Sequence, residues 1–295
     1  MAIIPSFFMN AVVALGIDAP DNNKHWIGTG FIVGRRDPKN VDLLTYYLVT
    51  NKHVIAEPKR IYVRFNSLGS SLVKDYSIDL YDSNGSPAFS AHPNASTDII
   101  AIQISPQTLI NDKSIWGSFD LDTRALTLSQ MKQTGVEEGS LVYALGFPMG
   151  KVEVIKAPIC RLGCISRVMD AFIRQKECPT FLVDAQVYPG NSGGPIVSRP
   201  EQMSIEGTPA NNKANLIGIL SDYIPYQETL YSRQTGRARM IQEENSGLTV
   251  VHPVDRIKEV VELEWKRIEN HNIQRAKNEA DTEVKTIKSA AEATV

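Results

Sequence analysis

A chain of 295 residues is long enough for two compact units or one larger all-β body. Its 31 Lys and Arg against 33 Asp and Glu leave a net charge of -2, so no global field draws nucleic acid or anionic lipid. With 42% hydrophobic and 22% charged residues, the composition is that of a folded chain and excludes a disordered one.

The longest apolar run, residues 3–17, is broken by Pro5, Ser6 and Asn10. No stretch reaches the roughly 20 apolar residues that span a bilayer, so no transmembrane helix is expected. The run lacks a preceding Lys or Arg and leads into Asp18 in place of a small-residue cleavage site, which reads as mature structure and not as a secretory signal. From Ala11 to about residue 252 the pattern is short β-rich runs between Gly, Pro, Asn and Asp turns: 12–17, 27–33, 46–50, 61–65, 99–104, 141–146, 181–187, 195–198, 216–221 and 248–252. Such runs with no amphipathic helices between them predict an all-β fold of antiparallel sheets, closed into barrels or packed as a sandwich, and not a parallel βαβ sheet.

After Pro253 the period changes. Ile257, Val261, Trp265 and Ile268 recur at steps of four, four and three, one face of a helix, with Pro253 and Asp255 suited to its first turn. Ile273, Ala276, Ala280, Val284, Ile287 and Ala291 continue as a narrow Ala-rich stripe, which fits either a two-helix seam or a solvated tail. Cys160, Cys164 and Cys178 are an odd number and too few for a disulfide framework, which fits a reducing cytoplasm. No second Cys or His pair stands at a zinc-like spacing from Cys160 and Cys164, so no metal or other cofactor is expected and the cysteines read as small buried hydrophobes.

The segment richest in chemistry is Tyr188-Pro189-Gly190-Asn191-Ser192-Gly193-Gly194-Pro195. Glycines on both sides of a serine permit a tight turn that aims the hydroxyl outward and brings amide N–H groups close to a reacting carbonyl. It resembles the nucleophile loop of trypsin-like serine proteases, in the asparagine-containing form of bacterial HtrA-like peptidases. Leu48-Val49-Thr50-Asn51-Lys52-His53-Val54-Ile55 resembles that family's histidine segment, and Thr97-Asp98-Ile99-Ile100-Ala101-Ile102 resembles the strand that opens with its aspartate. The order His53, Asp98, Ser192 is the one the chymotrypsin architecture uses. Fragments at 27–33, 145–148 and 216–221 agree, so the likeness covers most of residues 11–252; it ends by about Lys258, and nothing resembles a PDZ module.

The resemblance implies two antiparallel six-stranded β-barrels, the first within residues 1–120 carrying His and Asp, the second within 121–252 carrying Ser; the helical extension over 253–295 rests on the periodicity alone. It implies a serine endopeptidase acting on protein or peptide substrates through an acyl-enzyme. His53 would be the base, Asp98 would hold its tautomer, and the N–H groups of Gly190 and Ser192 would form the oxyanion hole. Ser221 would bond Asp98 and contact substrate backbone. Gln186, six residues before the nucleophile, would floor the pocket for the substrate side chain, and Tyr223 would narrow its mouth; a neutral floor disfavours Lys or Arg and predicts small or medium apolar residues.

Other readings stand beside these. Asp79, Asp82 and Asp112 are weaker substitutes for Asp98, and His25, His92, His252 and His271 default to surface or structural roles. Gly190-Asn191-Ser192-Gly193-Gly194 also satisfies G-x-S-x-G, and Asp222 and His252 follow in the order of an esterase, yet residues 193–197 read as turn and strand, not as the helix that architecture requires. A pseudoprotease that binds peptides without cutting them would keep the barrels. Asn191 stands where secreted members carry the aspartate that pairs with a new amino terminus, and no propeptide is evident, so activation by that ion pair is not expected. The insertions at 199–215 and 223–246, or the helical tail, are candidate gates acting through a regulatory partner or self-association.

Overall fold

In a computed structural model the described residues are 4–20, 23–38, 40–69, 71–152, 155–175, 177–201, 207 and 209–292, with side chains of the last helix described to Glu279. A short helix, α1 (Ser6–Ala11), leads into β1 (Val12–Asp18), β2 (Lys24–Asp37), β3 (Asn40–Thr50), β4 (Arg60–Ser67), β5 (Val73–Asp79), β6 (Ser90–Ala91) and β7 (Ile100–Ile104). Helix α2 (Pro106–Asn111), strands β8 (Ser114–Ile115) and β9 (Phe119–Asp120) and helix α3 (Leu128–Thr134) follow. The second half comprises β10 (Leu141–Gly146), β11 (Ile159–Arg167), α4 (Met169–Ile173), β12 (Phe181–Asp184), β13 (Pro195–Ser198), β14 (Leu216–Tyr231) and β15 (Ala238–Pro253), and ends in α5 (Val254–Glu292).

Period-two alternation divides the central strands between two cores. Val13, Leu15, Ile32, Leu48, Ile100 and Ile102 point into the first unit's own interior. Their neighbours Val12, Ala14, Phe31, Val33, Tyr47, Val49, Ile99 and Ala101 point the other way, into a second cluster shared with Val197, Leu216 and Ile219 of the second unit and Val254, Ile257, Val260 and Val261 of α5. A strand buried on both faces reads as an unbroken apolar run, which is why these strands are the legible ones.

The second unit is a closed barrel in the order β10-β11-β12-β15-β14-β13, packed around Val142, Phe181, Val183, Ile196, Ile217, Leu220 and Val251. The first is not the expected six-stranded barrel. Among the described residues it is a nine-stranded sheet along β5-β4-β1-β2-β3-β7-β6, with β8 on β4 and β9 on β2, and no ladder joins β5 to β6. What links those ends is a hairpin, with one bridge between Tyr81 and Pro87 and the Ala88 N–H donating to Leu80 O. Pro87 has no N–H with which to extend the pairing.

Two further expectations change. Residues 223–246, read as a polar insertion, extend β14 and β15 into a ribbon paired from Pro225–Asn245 to Tyr231–Ala238. Part of the 199–215 insertion (202–206 and 208) lies outside the described residues. The cysteines are free but not buried: Cys160 is exposed, and Cys164 and Cys178 are half-buried. Cys160 and Cys164, four apart on β11, share one face of that strand, and it is not the face that carries the buried Ile165 into the barrel.

The last helix starts as core. Val254, Ile257, Val260 and Val261 are buried to 1% exposure or less, so its first two turns close the interface between the units and are not a separable tail. Asp255 Oδ2 accepts the Leu128 N–H at 2.8 Å, tying this start to α3. Farther along, Ile273 is half exposed, and the side chains of Ala280, Val284, Ile287 and Ala291 lie outside the described residues.

One buried cation holds the amino-terminal segment in place. Lys156 is 2% exposed, and its Nζ donates to the carbonyls of Val12 (2.7 Å) and Asn10 (3.0 Å), while its backbone exchanges two bonds with the Asn66 amide. Burial pushes its pKa down from 10.5 to about 7. Between those values the unfolded chain binds the proton that the folded chain has released, so stability rises with pH over that window. The unfolding free energy, followed by urea denaturation from pH 7 to 10, is expected to climb more steeply in the wild type than in Lys156→Met; identical slopes would contradict a depressed Lys156.

Candidate active site

Strand β3 ends at Thr50, and after Asn51 and Lys52 the chain turns through a single 3-10 turn, His53–Ile55, that leaves the His53 side chain exposed. Asp98 sits just before β7, the antiparallel neighbour of β3, with Thr50 paired to Ile100, so sheet register alone brings the two residues to one edge. His53 Nδ1 and Asp98 Oδ2 lie 2.5 Å apart, and the His53 backbone N–H donates to Asp98 Oδ1 at 3.2 Å. Ser221 Oγ donates to Asp98 Oδ2 at 3.4 Å.

These contacts set the charges. The Asp98 hydrogen bond raises the His53 pKa above 6.5 against the opposing effect of burial. For Asp98, burial alone would raise the pKa, but the bonds from His53 and the backbone N–H groups of His53 and Lys52 outweigh it and hold the carboxyl below its ordinary value. An anionic Asp98 on Nδ1 leaves His53 Nε2 as the nitrogen with a free lone pair.

The serine loop runs between the closed barrel and the first sheet. The Thr29 N–H donates to Ser192 O at 3.0 Å, Thr29 Oγ1 donates to Gly190 O at 2.6 Å, and Thr50 Oγ1 donates to Thr29 O at 2.7 Å. On the other side the Gly193 N–H donates to Leu220 O at 3.0 Å. Gly193 adopts φ +84°, and a Cβ there would lie 2.1 Å from Thr29 O and 2.4 Å from Thr50 Oγ1, so no other residue fits. Ser192 is thus bracketed by Thr29 and Thr50, three residues before His53, and by Leu220, whose neighbour Ser221 bonds Asp98. Among the described residues Ser192 Oγ makes no hydrogen bond to the His53 ring.

The N–H groups of Asn191, Gly193 and Gly194 are all engaged within the protein, on Tyr188 O, Leu220 O and Asn191 O. Those of Gly190 and Ser192 donate to no described residue. Gly190, at φ +97°, has the left-handed backbone that aims this pair. Asn191 is buried, and its Nδ2 has no partner among the described residues.

Of the other sequence-predicted positions, Gln186 is exposed, Ser221 is buried, and Tyr223 is half-buried against the second core. Asp79 pairs with Arg60, Asp82 accepts the N–H groups of Asn84 and Ser86, and Asp112 pairs with Lys74 and Tyr76, all away from His53. His25 and His271 are exposed. The esterase arrangement is absent: Ser192 is followed by β13, not by a helix, and His252 Nε2 accepts the Asp98 N–H at 3.2 Å with no bond to Asp222. Sequence reasoning passed over Thr29, Thr50 and Asn51, whose Nδ2 donates to Asp98 O at 2.6 Å. All three are fully buried polar residues next to apolar strand residues, and that placement is the signal they carry.

The profile of the trypsin-like peptidase domain matches residues 28–203, more than half of the chain. The chain belongs to the trypsin-like peptidase family. It is accordingly a serine protease, a hydrolase of protein or peptide substrates. No curated protein sequence matches it. Solved structures similar to it include the Rv3671c protease in an inactive form, with 14% identity, 86% of this chain and 88% of that chain covered, and a TM-score of 0.42. Another is a serine-to-alanine mutant of Rv3671c from M. tuberculosis H37Rv, also inactive, with 14% identity, 87% and 88% covered, and a TM-score of 0.41. No helix among the described residues is long and apolar enough to cross a membrane.

In an NMR titration His53 is expected to change charge above pH 6.5. In Asp98→Asn, which leaves burial as the main remaining influence, the midpoint is expected to fall to 6.5 or lower. An unmoved midpoint would show that Asp98 does not set the charge of this histidine.

Proposed function

We propose that this protease works as an endopeptidase through His53, Asp98 and Ser192, by way of an acyl-enzyme. Ser192 Oγ attacks the scissile carbonyl while His53 Nε2 takes its proton and later returns it to the leaving amine. Asp98 fixes the tautomer and favours the transient imidazolium. The oxyanion that forms is received by the Gly190 and Ser192 N–H groups, and one lost donor of this kind typically costs about 2.7–4 kcal/mol of barrier. The observation that carries this reading is the combination of a 2.5 Å His53–Asp98 bond with a serine loop in which the N–H groups of Gly190 and of the proposed nucleophile Ser192 itself are unengaged among the described residues.

Substrate preference follows from the pocket positions. Gln186 brings no charge to pair with Lys or Arg, and Tyr223 packs its ring against the second core, so we infer small or medium apolar residues before the cut. The second reading, a latent or peptide-binding protein, draws on the missing Ser192–His53 hydrogen bond; in free proteases such bonds often tighten only with substrate present. We further infer a cytoplasmic enzyme held in check by the β14–β15 ribbon or by α5 beyond Asn270, through a partner or self-association.

A fluorophosphonate probe applied to the full chain and to a chain ending at Asn270 tests these readings together. Labelling of Ser192 is expected, abolished in His53→Ala, with peptide turnover of Ser192→Ala lower by roughly 10^4- to 10^6-fold. Labelling of the shortened chain alone would assign latency to the helix, and labelling of neither would favour the binding protein.

A further inference from the structure

We propose that the C-terminal helix positions the aspartate of the triad, with His252, His92 and Glu259 as positioning residues for Asp98. This rests on the reading of Asp98 as a triad member and deepens it. Asp98 has its main chain pinned on both sides. Its N–H donates to His252 Nε2 at 3.2 Å, and its carbonyl accepts from Asn51 Nδ2 at 2.6 Å. His252 is 2% exposed and lies two residues before the start of α5. An imidazole accepts on Nε2 only while that nitrogen is unprotonated, so this anchor requires a neutral ring carrying its proton on Nδ1. Burial favours that state by lowering the His252 pKa to about 4.

The turn that leads into Asp98 is held a second time. The Asn94 N–H donates to His92 Nδ1 at 3.2 Å, which places the ring proton on Nε2, 2.7 Å from Glu259 Oε2 on α5. His92 is 7% exposed, so without Glu259 this donor would be buried and unpaired. Arg256, one turn earlier on α5, donates to both oxygens of Glu259 at 2.9 Å and fixes its orientation. From the opposite side Lys52 Nζ, adjacent to His53, donates to His92 O at 2.7 Å and Asn94 O at 3.3 Å. One turn along the helix, fully buried Glu264 accepts from Ser90 Oγ at 2.8 Å and the Gln103 N–H at 3.2 Å, fixing the strands on either side of the 92–98 turn. The helix therefore holds the aspartate turn through Glu259 and the strands beside it through Glu264, His252 at the end of β15 anchors Asp98 itself, and the histidine segment grips the turn from the other face. A carboxylate shifted by about 1 Å no longer meets the imidazole, and displacements of that size cost on the order of 100-fold in rate.

The test compares kcat and KM for a peptide, and the fluorophosphonate labelling rate, in Glu259→Ala, Glu259→Gln, His252→Leu, His252→Gln, Asp98→Asn and Lys266→Ala, each confirmed folded by near-ultraviolet circular dichroism. Glu259→Ala and His252→Leu are expected to lose roughly 10- to 100-fold in kcat with KM nearly unchanged. The Gln variants, which keep an acceptor near the same place, should recover most of the loss, and Lys266→Ala, on the exposed side of the same helix, should match the wild type. If Glu259→Ala and His252→Leu keep wild-type kcat while Asp98→Asn loses it, the positioning role is wrong and the triad stands. If Asp98→Asn also keeps wild-type kcat, the triad reading itself fails. Equal losses in the Gln and the Ala or Leu variants would likewise overturn the role assigned to these acceptors.

Discussion

Everything the proposed site can do depends on how Thr29 fastens the serine loop to the first sheet. This one residue donates its N–H to Ser192 O and its hydroxyl to Gly190 O, while its carbonyl accepts from Thr50 at the end of the histidine strand. The Phe147 N–H in turn donates to Thr29 Oγ1 at 3.0 Å, so the hydroxyl is satisfied in both directions. Two units with separate interiors are thereby registered against each other by buried hydrogen bonds, which tolerate little drift because a broken one leaves a desolvated polar group behind. The requirement for glycine at 193 follows from the same closeness.

Around that junction the electrostatics are local. With a net charge of -2 there is no long-range field to steer substrate, so the chemistry has to come from short contacts. Asp98 gathers the His53 ring, the His53 N–H and the Ser221 hydroxyl on its carboxylate, while Asn51 and His252 hold its backbone. The carboxylate stays charged although burial opposes it, and the histidine is made more basic than a free imidazole. The buried Asn191 carries no charge to recruit a new amino terminus, and Lys156 instead ties the residues around Asn10–Val12 to the second unit through carbonyl oxygens.

What was legible in the sequence was whatever is packed on both faces or demands an unusual residue. The runs around Phe31, Val49 and Ala101 stood out because alternate side chains fill two different cores, and the Gly-rich loop stood out because its backbone excludes other residues. Strand β5 stayed hidden because its side chains are half-buried to exposed and its residues are mostly polar, and β11 because only Ile165 among its residues is buried. The ribbon from residue 223 to 246 reads as a loop since its residues are largely exposed and its order comes from strand pairing, which leaves no hydrophobic period. The openness of the first sheet was invisible for a different reason: strand closure is a property of pairing across the hairpin at Tyr81 and Pro87, not of any one segment. His92 and His252 looked structural in isolation, and only the fold places them against the aspartate turn.

Catalysis by His53, Asp98 and Ser192 requires the three to meet around one substrate carbonyl, and a crystal structure of the fluorophosphonate-treated protein shows whether they do. The expected structure has phosphorus bonded to Ser192 Oγ, its phosphoryl oxygen accepting from the Gly190 and Ser192 N–H groups, and His53 Nε2 within hydrogen-bond reach of the serine oxygen. An adduct on another residue, or one whose phosphoryl oxygen points away from both N–H groups, would contradict it.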